Sequence, residues 1–225
     1  MSMKKDMILG SSYYNCPSDG AGPLRELFPR PLKISKFSDL HLVDAIVIWG
    51  GSDISPSLYY EKPIDRSGPE EPSKRDEYEL AIVKHAMRNN IPLIGVCRGA
   101  QLICALAGGK LIQDVKGHEC GNHEVTTSDG TRFSATSAHH QMMWPYDISH
   151  ELLSWSTKRK GDVYLPSNTN HAKAMKGKPE PECVFFPQIK ALCIQSHPEW
   201  ESAGSFYNKW FLDQIVAKCF GKVVA

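Results

Sequence analysis

The sequence has no apolar run long enough to cross a bilayer, and its charges nearly cancel. A candidate transmembrane helix needs about 18 consecutive apolar residues, and no stretch of these 225 residues provides them. Lysine and arginine number 26 against 25 aspartates and glutamates, which gives a formal net charge of +1. Such a chain has no long-range field to attract a phosphate backbone or an anionic membrane. We therefore expect neither nucleic acid nor a membrane as a partner.

Signals for secretion, disulfide bonding and nucleotide binding are also missing. The apolar segment Met7-Ile-Leu-Gly10, after the charged N-terminal residues, is too short for a signal peptide. The seven cysteines are odd in number and scattered, which is typical of a reduced intracellular protein. Neither a Walker A motif nor a dinucleotide fingerprint is present. We expect a cytoplasmic protein that uses no cofactor.

The sequence does contain short apolar runs that alternate with helical stretches. Asp44–Trp49 and Ile91–Val96 have the continuous apolar character of buried parallel strands. Helical periodicity, with Leu80, Val83 and Met87 on one face, extends from Arg75 to Asn89, and a closing helix is expected over 200–220. The alternation predicts one α/β domain over residues 1–225. We expect a mostly parallel central sheet of flavodoxin-like type, helices on both faces and a small antiparallel excursion.

A nucleophile motif, Gly95-Val-Cys97-Arg-Gly99, lies between a predicted strand and an apolar helix. This is the G-x-nucleophile-x-G elbow with cysteine in place of serine. The glycines allow a sharp turn and leave the sulfur uncovered, above the carboxyl ends of the strands. The positive N-terminus of the helix is expected to lower the thiol pKa. The alternative is a structural cysteine buried in a strand–helix joint.

A cysteine nucleophile needs a base that can also deliver a proton to the leaving group. His197 is the best candidate, because it follows an apolar strand. Glu199 lies two residues on, and Pro198 restricts the backbone so that the carboxylate can hold the imidazole. Such a carboxylate stabilises the imidazolium and does not take the proton. His197 alone is equally compatible with a capped surface histidine, but Cys97 favours the catalytic interpretation.

These motifs resemble those of the class I glutamine amidotransferase superfamily. Within it, the chain is most similar to the γ-glutamyl amide hydrolases of peptidase family C26, such as γ-glutamyl-γ-aminobutyrate hydrolase. The Cys-Arg-Gly sequence suggests this group. The resemblance covers about residues 44–200 and rests on six segments: Gly50 to Tyr59, Arg75-Asp76, Gly95 to Gln101, Gly108 to Asp114, Ser137 to Gln141 and Ser196 to Glu199.

The resemblance implies a role for each matching residue. Cys97 is the nucleophile, His197 the base and acid, and Glu199 the orienting carboxylate. The backbone N–H groups of Gly51 and Arg98 form the oxyanion hole, and no metal takes part. Substrate contacts are implied for Gly50, Gln101, Ser137, His139 and His140, the last three in a loop that holds the α-amino and α-carboxylate groups of a glutamyl substrate.

The chain departs from the family pattern at three places. Thr136 stands where the family often has asparagine, and Pro181-Glu-Cys183 occupies the place of an Asp-Gly-x-x-Glu turn. Residues 150–181 have no counterpart. These differences fall where the leaving group would be recognised, so they leave the substrate open and the chemistry intact.

Two histidine groups invite a metal interpretation, which we do not favour. His118 and His123 lack the regular spacing of a metal motif. His139 and His140, if they lie on a strand, point to opposite faces and cannot easily share one ion.

The expected reaction is hydrolysis of a γ-glutamyl amide through a thioester on Cys97. A free-standing hydrolase would act on a γ-glutamyl amine, a γ-glutamyl peptide or glutamine. The alternative is a glutaminase subunit that passes ammonia to a synthetase on a separate chain. A third interpretation, a non-catalytic binding relative, is disfavoured because Cys97, His197 and Glu199 are all present. A homodimer is left open.

Overall fold

The structure is a computed structural model that describes residues 6–65, 67–161, 164–165, 177–202 and 204–221. The described α-helices are α1 (Lys74–Arg88), α2 (Arg98–Leu106) and α3 (Phe206–Gln214). The described strands are β1 (Ile8–Ser11), β2 (Arg30–Lys33), β3 (Ala45–Ile48), β4 (Leu93–Val96), β5 (Lys110–Ile112), β6 (Asp114–Val115), β7 (Asn122–Thr127), β8 (Arg132–Thr136), β9 (Met142–Trp144), β10 (Glu151–Ser156), β11 (Tyr164–Leu165), β12 (Pro181–Phe186) and β13 (Ala191–Ile194).

A nine-stranded sheet in the order β2-β1-β3-β4-β13-β12-β10-β7-β8 forms the centre of the molecule. The first five strands in that order are mutually parallel. The other four pair antiparallel, so the antiparallel part is larger than the small excursion expected. A turn at Asp129-Gly130 joins β7 to β8.

Helices cover both faces of the sheet, as predicted. Every residue of β3, β4 and β13 is buried, which explains their continuous apolar sequences. On one face they pack against Ile82 and Val83 of α1 and Ile103 of α2. On the other face they pack against Tyr207 and Phe211 of α3.

Two helix predictions need correction. In α1 the buried face is formed by Asp76, Glu79, Ile82, Val83 and Ala86, while Leu80 and Met87 are only half-buried. Asp76 and Glu79 are buried because their carboxylates pair with the buried guanidinium of Arg98. Hydropathy alone does not reveal such a partner.

The closing helix is the second correction, because it begins later than the predicted residue 200. Pro198–Trp200 is a short 3-10 turn, the α-helix starts at Phe206, and a π-helical turn follows over Ile215–Cys219. Ser205 caps the helix, since its side chain accepts a hydrogen bond from the Asn208 N–H at 3.1 Å. Among the described residues, no helix is long and apolar enough to span a membrane.

The sheet order brings three loops to one edge. Strands β3, β4 and β13 are parallel neighbours. Gly50 follows the end of β3, Cys97 follows β4, and His197 follows β13. In open α/β sheets, ligands bind at the carboxyl ends of the strands, so the fold places these three residues where a ligand would bind.

Candidate active site

Cys97 lies at a strained turn between β4 and α2. Its backbone has φ 48° and ψ −110°, a conformation that is costly for a residue with a side chain and that clusters at functional sites. The Cys97 N–H donates to the carbonyl of Ile194 at 2.7 Å. This bond ties the turn to β13, and the turn is the nucleophile elbow predicted from the sequence.

The two glycines of the elbow have a different purpose from the one predicted. A Cβ at Gly95 would lie 2.7 Å from Cα of Ala100, and a Cβ at Gly99 would overlap the carbonyl oxygen of Ile48. The glycines therefore allow α2 to approach the strands closely. The strain of the turn falls on Cys97 itself.

The thiol is less acidic than expected. Burial is the largest cause that raises the pKa of Cys97, and together with nearby carboxylates, Glu199 first among them, it brings this pKa to about 12. The backbone N–H of Arg98 lowers this pKa, as a helix N-terminus should, but burial is the larger effect. The expectation of a lowered thiol pKa is therefore wrong, and the thiol is protonated at neutral pH.

His197 and Glu199 form the pair predicted from their spacing. Nδ1 of His197 lies 2.8 Å from Oε1 of Glu199, an arrangement in which Nδ1 donates and Nε2 is left to accept a proton. The His197 N–H donates to Oγ1 of Thr136 at 2.9 Å. The indole of Trp200 stacks on the imidazole with 3.7 Å between ring centroids and 4° between planes. Glu199 and Trp200 therefore position the imidazole, and Thr136 holds the backbone that carries it.

Gly50 lies against both His197 and Cys97. A Cβ at Gly50 would be 2.7 Å from Cε1 of His197 and 3.4 Å from Cβ of Cys97. The carbonyl of Gly50 accepts from Nδ2 of Asn15 at 3.0 Å and from Nη2 of Arg75 at 2.9 Å. Gly51 has φ 137°, a region that favours glycine. These contacts fix the loop that was predicted to supply an oxyanion-binding N–H group.

A cavity of about 410 Å³ opens over this centre. Its volume is in the range of small-molecule sites. Cys97, His197 and Glu199 all border it, so the structure brings the three predicted catalytic residues together at one cavity. The lining residues are Asn15, Pro17, Gly50, Gly51, Cys97, Ala138, His197, Glu199 and Trp200.

The side chain of Arg98 points away from this cavity into the protein. It is 1% exposed and pairs with the carboxylates of Asp76 and Glu79. Its Nε also donates to the Ser52 carbonyl at 3.1 Å. Asp76 and Arg75 are structural anchors. Asp76 also caps α1 through Ser73, and Arg75 holds Gly50.

Two of the predicted substrate residues are buried away from the cavity. Nε2 of Gln101 donates to the Gln141 carbonyl at 3.1 Å, and Oγ of Ser137 donates to the His118 carbonyl at 2.8 Å. Neither is among the described residues that line the cavity at Cys97. Their contact with a substrate stays a prediction.

His139 and His140 lie in the loop between β8 and β9. The alternation of side chains along a strand, on which a metal shared by the two was disfavoured, therefore does not apply to them. They still point in different directions. Burial lowers the pKa of His139 to about 4, and its Nδ1 lies 2.8 Å from the Gln141 carbonyl oxygen. Nε2 of His140 lies 2.8 Å from Asp53 Oδ2, and this hydrogen bond raises the pKa of His140.

A second cavity, of about 300 Å³, adjoins the first at Ala138, which lines both. Charged groups of both signs surround it. Its lining residues are Asp114, Lys116, Glu119, Ala138, His139 and His140.

Sequence reasoning missed three residues that shape the site: Asn15, Thr136 and Trp200. Trp200 carried a signal, because it directly follows the His-Pro-Glu motif. Thr136 was noted only as a departure from the family pattern, yet it holds the backbone of His197. Asn15 carried no signal, since it reaches Gly50 only through the pairing of β1 with β3.

Known proteins resemble this chain in sequence and in fold. The protein YvdE of Lactococcus lactis, named as glutamine amidotransferase-like, is 50% identical over 76 residues, or 34% of this chain and 32% of YvdE. The carbamoyl phosphate synthase small chain of Polynucleobacter necessarius is 29% identical over 150 residues, or 67% of this chain and 33% of that chain. Both matches span about a third of the relative's length. A solved glutamine amidotransferase from Thermotoga maritima aligns with a TM-score of 0.59 at 16% identity, covering 95% of this chain and 83% of that chain.

The structural likeness shows that the fold is that of the class I glutamine amidotransferases. The sequence then defines the family within that class. The family model of peptidase C26 matches residues 27–157, more than half of the chain, so this protein belongs to the peptidase C26 family. The matched range includes Cys97 and ends before His197.

Proposed function

We propose that this protein hydrolyses γ-glutamyl amides, with Cys97, His197 and Glu199 as its catalytic triad. The observation that carries the proposal is the convergence of all three side chains on one cavity at the carboxyl edge of the sheet. The conformation of Cys97 and the pair between Glu199 and His197 support it, because both fit a cysteine nucleophile served by an oriented base.

Acylation begins from a neutral thiol, since burial keeps the pKa of Cys97 high. Nε2 of His197 takes the thiol proton as the sulfur attacks the side-chain amide carbonyl, and a C–S bond forms. Backbone N–H groups at Gly51 and Arg98 stabilise the oxyanion. The imidazolium, held by Glu199, then protonates the amine nitrogen as the C–N bond breaks, which leaves a thioester.

Deacylation repeats these roles with water as the nucleophile. His197 takes a proton from water as the oxygen attacks the thioester carbonyl. The C–S bond breaks, the sulfur recovers its proton from His197, and glutamate leaves. No step needs a metal or a redox cofactor.

The second cavity supports a substrate with an amino acid end. An α-amino acid group carries one positive and one negative charge, and the cavity is lined by the basic side chains of Lys116 and His140 and by the acidic ones of Asp114 and Glu119. Asp114 already pairs with both basic groups, so a bound substrate would exchange its own charges for these pairs. Ala138 lies between this cavity and Cys97. We propose that the γ-amide occupies the first cavity and the α-carbon groups lie in the second.

The glutaminase-subunit alternative is kept because of one observation. A relative that matches 67% of this chain is a carbamoyl phosphate synthase small chain. A glutaminase subunit should be nearly inactive until its synthetase chain binds. A hydrolase should release glutamate by itself.

The test measures glutamate release from γ-glutamyl amines, γ-glutamyl dipeptides and glutamine by the purified chain. We expect at least one γ-glutamyl amine or dipeptide to be cleaved faster than glutamine. Cys97→Ala and Cys97→Ser should each lower the rate by roughly 10³-fold or more, because alanine has no nucleophile and serine is far less acidic.

The control is Cys120→Ser, which changes an exposed thiol and should retain the full rate. A glutamine-derived electrophile should also label Cys97, as detected by mass spectrometry of its peptide. Normal turnover by Cys97→Ala would overturn the proposal. Activity that appears only with a synthetase chain would favour the alternative.

A further inference from the structure

Behind the loop that carries His139 lies a buried cluster of imidazoles and carboxylates that the proposed reaction does not use. Its centre is formed by His118, His139 and Glu182, whose potential ligand atoms all lie within 4.8 Å of one another. All three residues are at most 4% exposed. They come from the segment before β7, the loop after β8 and strand β12, so no local sequence motif joins them.

Two ligand atoms in this cluster have no hydrogen-bond partner among the described residues. They are Nε2 of His139 and Oε2 of Glu182. A buried polar atom without a partner costs about 1–3 kcal/mol, so such atoms indicate a missing ligand more strongly than an exposed cluster does. In this cluster, Nε2 of His139 and Oε2 of Glu182 both lack a partner among the described residues.

The outer atoms of the same side chains are already bonded in the way that metal ligands require. Nδ1 of His139 lies 2.8 Å from the carbonyl oxygen of Gln141, and Nε2 of His118 lies 3.2 Å from Oε2 of Glu180. Metal-bound histidines usually donate their other N–H to a backbone carbonyl or a carboxylate. Each imidazole can therefore present its inner nitrogen as a lone pair.

The carboxylate of Glu182 likewise has one oxygen bonded and the other without a partner among the described residues. Oε1 of Glu182 lies 2.8 Å from Nε2 of His123, which leaves Oε2 for an ion. Nδ1 of His118 lies 3.7 Å from Glu182 Oε1 and 3.4 Å from Oγ of Ser137. The hydroxyl of Ser137 donates to the His118 carbonyl, so it does not need the His118 nitrogen as an acceptor.

We propose that Nδ1 of His118, Nε2 of His139 and Oε2 of Glu182 bind a divalent transition metal of the zinc class. Two histidines and one glutamate are an established zinc ligand set, with water in the fourth position. In tetrahedral zinc sites, ligand atoms lie about 3.3 Å apart. Each of the three residues has a ligand atom within 4.8 Å of those of the other two, so binding needs these atoms to approach by at most roughly 1.5 Å.

The metal ties the loop with Ala138 and His139 to strand β12. Ala138 borders both cavities, so the ion stabilises the wall between them without entering the proposed reaction. The sequence-based prediction of no metal weighed His118 with His123 and His139 with His140, so it did not consider this set. The structure instead pairs one histidine from each group with Glu182.

The experiment uses the full chain, freed of metal by a chelator and then titrated with ZnCl2. We expect one zinc per chain after gel filtration, measured by mass spectrometry of the elements. We also expect Tm to rise by roughly 5–10 °C when free zinc is 100-fold above Kd. Retention of less than about a tenth of an equivalent, with an unchanged Tm, would overturn the proposal.

His139→Gln and Glu182→Gln should each weaken zinc binding at least about 100-fold, since each removes a ligand. His150→Gln, a change of a half-buried histidine outside the cluster, should bind zinc as the unmodified chain does. If His139→Gln bound zinc with the same Kd as the unmodified chain, the assignment of His139 as a ligand would be refuted.

Cobalt substitution tests the unmodified chain if the variants fail to fold. Co²⁺ should give the visible ligand-field bands of a site with nitrogen and oxygen ligands. A strong near-ultraviolet sulfur-to-cobalt band would place the ion on a cysteine such as Cys97 or Cys120 and would contradict the proposal.

Discussion

The indole of Trp200 lies flat against the imidazole of His197, with 3.7 Å between the ring centroids. The tryptophan residue is otherwise largely in solvent, at 61% exposed. An exposed aromatic ring that covers a proposed catalytic base is a positioning residue, and it limits how far the imidazole can rotate.

Trp200→Leu should therefore lower kcat by about 2–10-fold, because an aromatic pair contributes about 0.5–1.5 kcal/mol beyond its buried area. Trp200→Phe should recover most of the loss. Steady-state kinetics on the best γ-glutamyl substrate measures both. Phe206→Leu, which alters another exposed aromatic residue, should leave kcat unchanged, and an equal loss there would contradict a positioning role for Trp200.

Gly50→Ala tests the close packing at the centre of the site. The new methyl group would lie 2.7 Å from Cε1 of His197, so the imidazole must move. A displacement near 1 Å costs about 100-fold in rate, and we expect a loss of that size with little change in Tm.

The control for this change is Gly177→Ala, because none of the described residues has an atom within 4 Å of a Cβ at that position. It should retain full activity. Wild-type rates in Gly50→Ala would show that His197 does not need its present position.

The high pKa of Cys97 predicts the pH dependence of its alkylation. A raised pKa means that the thiolate is scarce at neutral pH and increases about tenfold with each pH unit. The rate of iodoacetamide labelling at Cys97, followed by peptide mass spectrometry, should rise continuously from pH 7 to 9.5. A free cysteine derivative should level off near its pKa of about 8.5. A plateau for Cys97 below pH 7 would mean a resting thiolate–imidazolium pair instead.

The buried pairs of Arg98 predict a large effect on stability. Arg98→Met leaves the buried carboxylates of Asp76 and Glu79 without this partner. Breaking a buried pair in this way costs about 3–5 kcal/mol in the free energy of unfolding, which urea denaturation measures.

Arg132→Met provides the comparison, because Arg132 pairs with Glu124 at the surface, where both side chains are more than half exposed. That change should cost at most about 1 kcal/mol. Similar losses for the two arginines would show that burial of Arg98 adds nothing.

The sequence by itself determined the strand–helix alternation, the elbow at Cys97 and the pairing of His197 with Glu199. Each of these depends on residues close in the chain, whose periodicity and backbone preferences act locally. The tertiary structure alone decided which loops meet. Asn15 reaches Gly50, Arg98 is buried between carboxylates of α1, and His118 meets His139 and Glu182. It also reversed the expected acidity of Cys97, because burial depends on segments distant in sequence and here outweighs the local effect of the helix N-terminus.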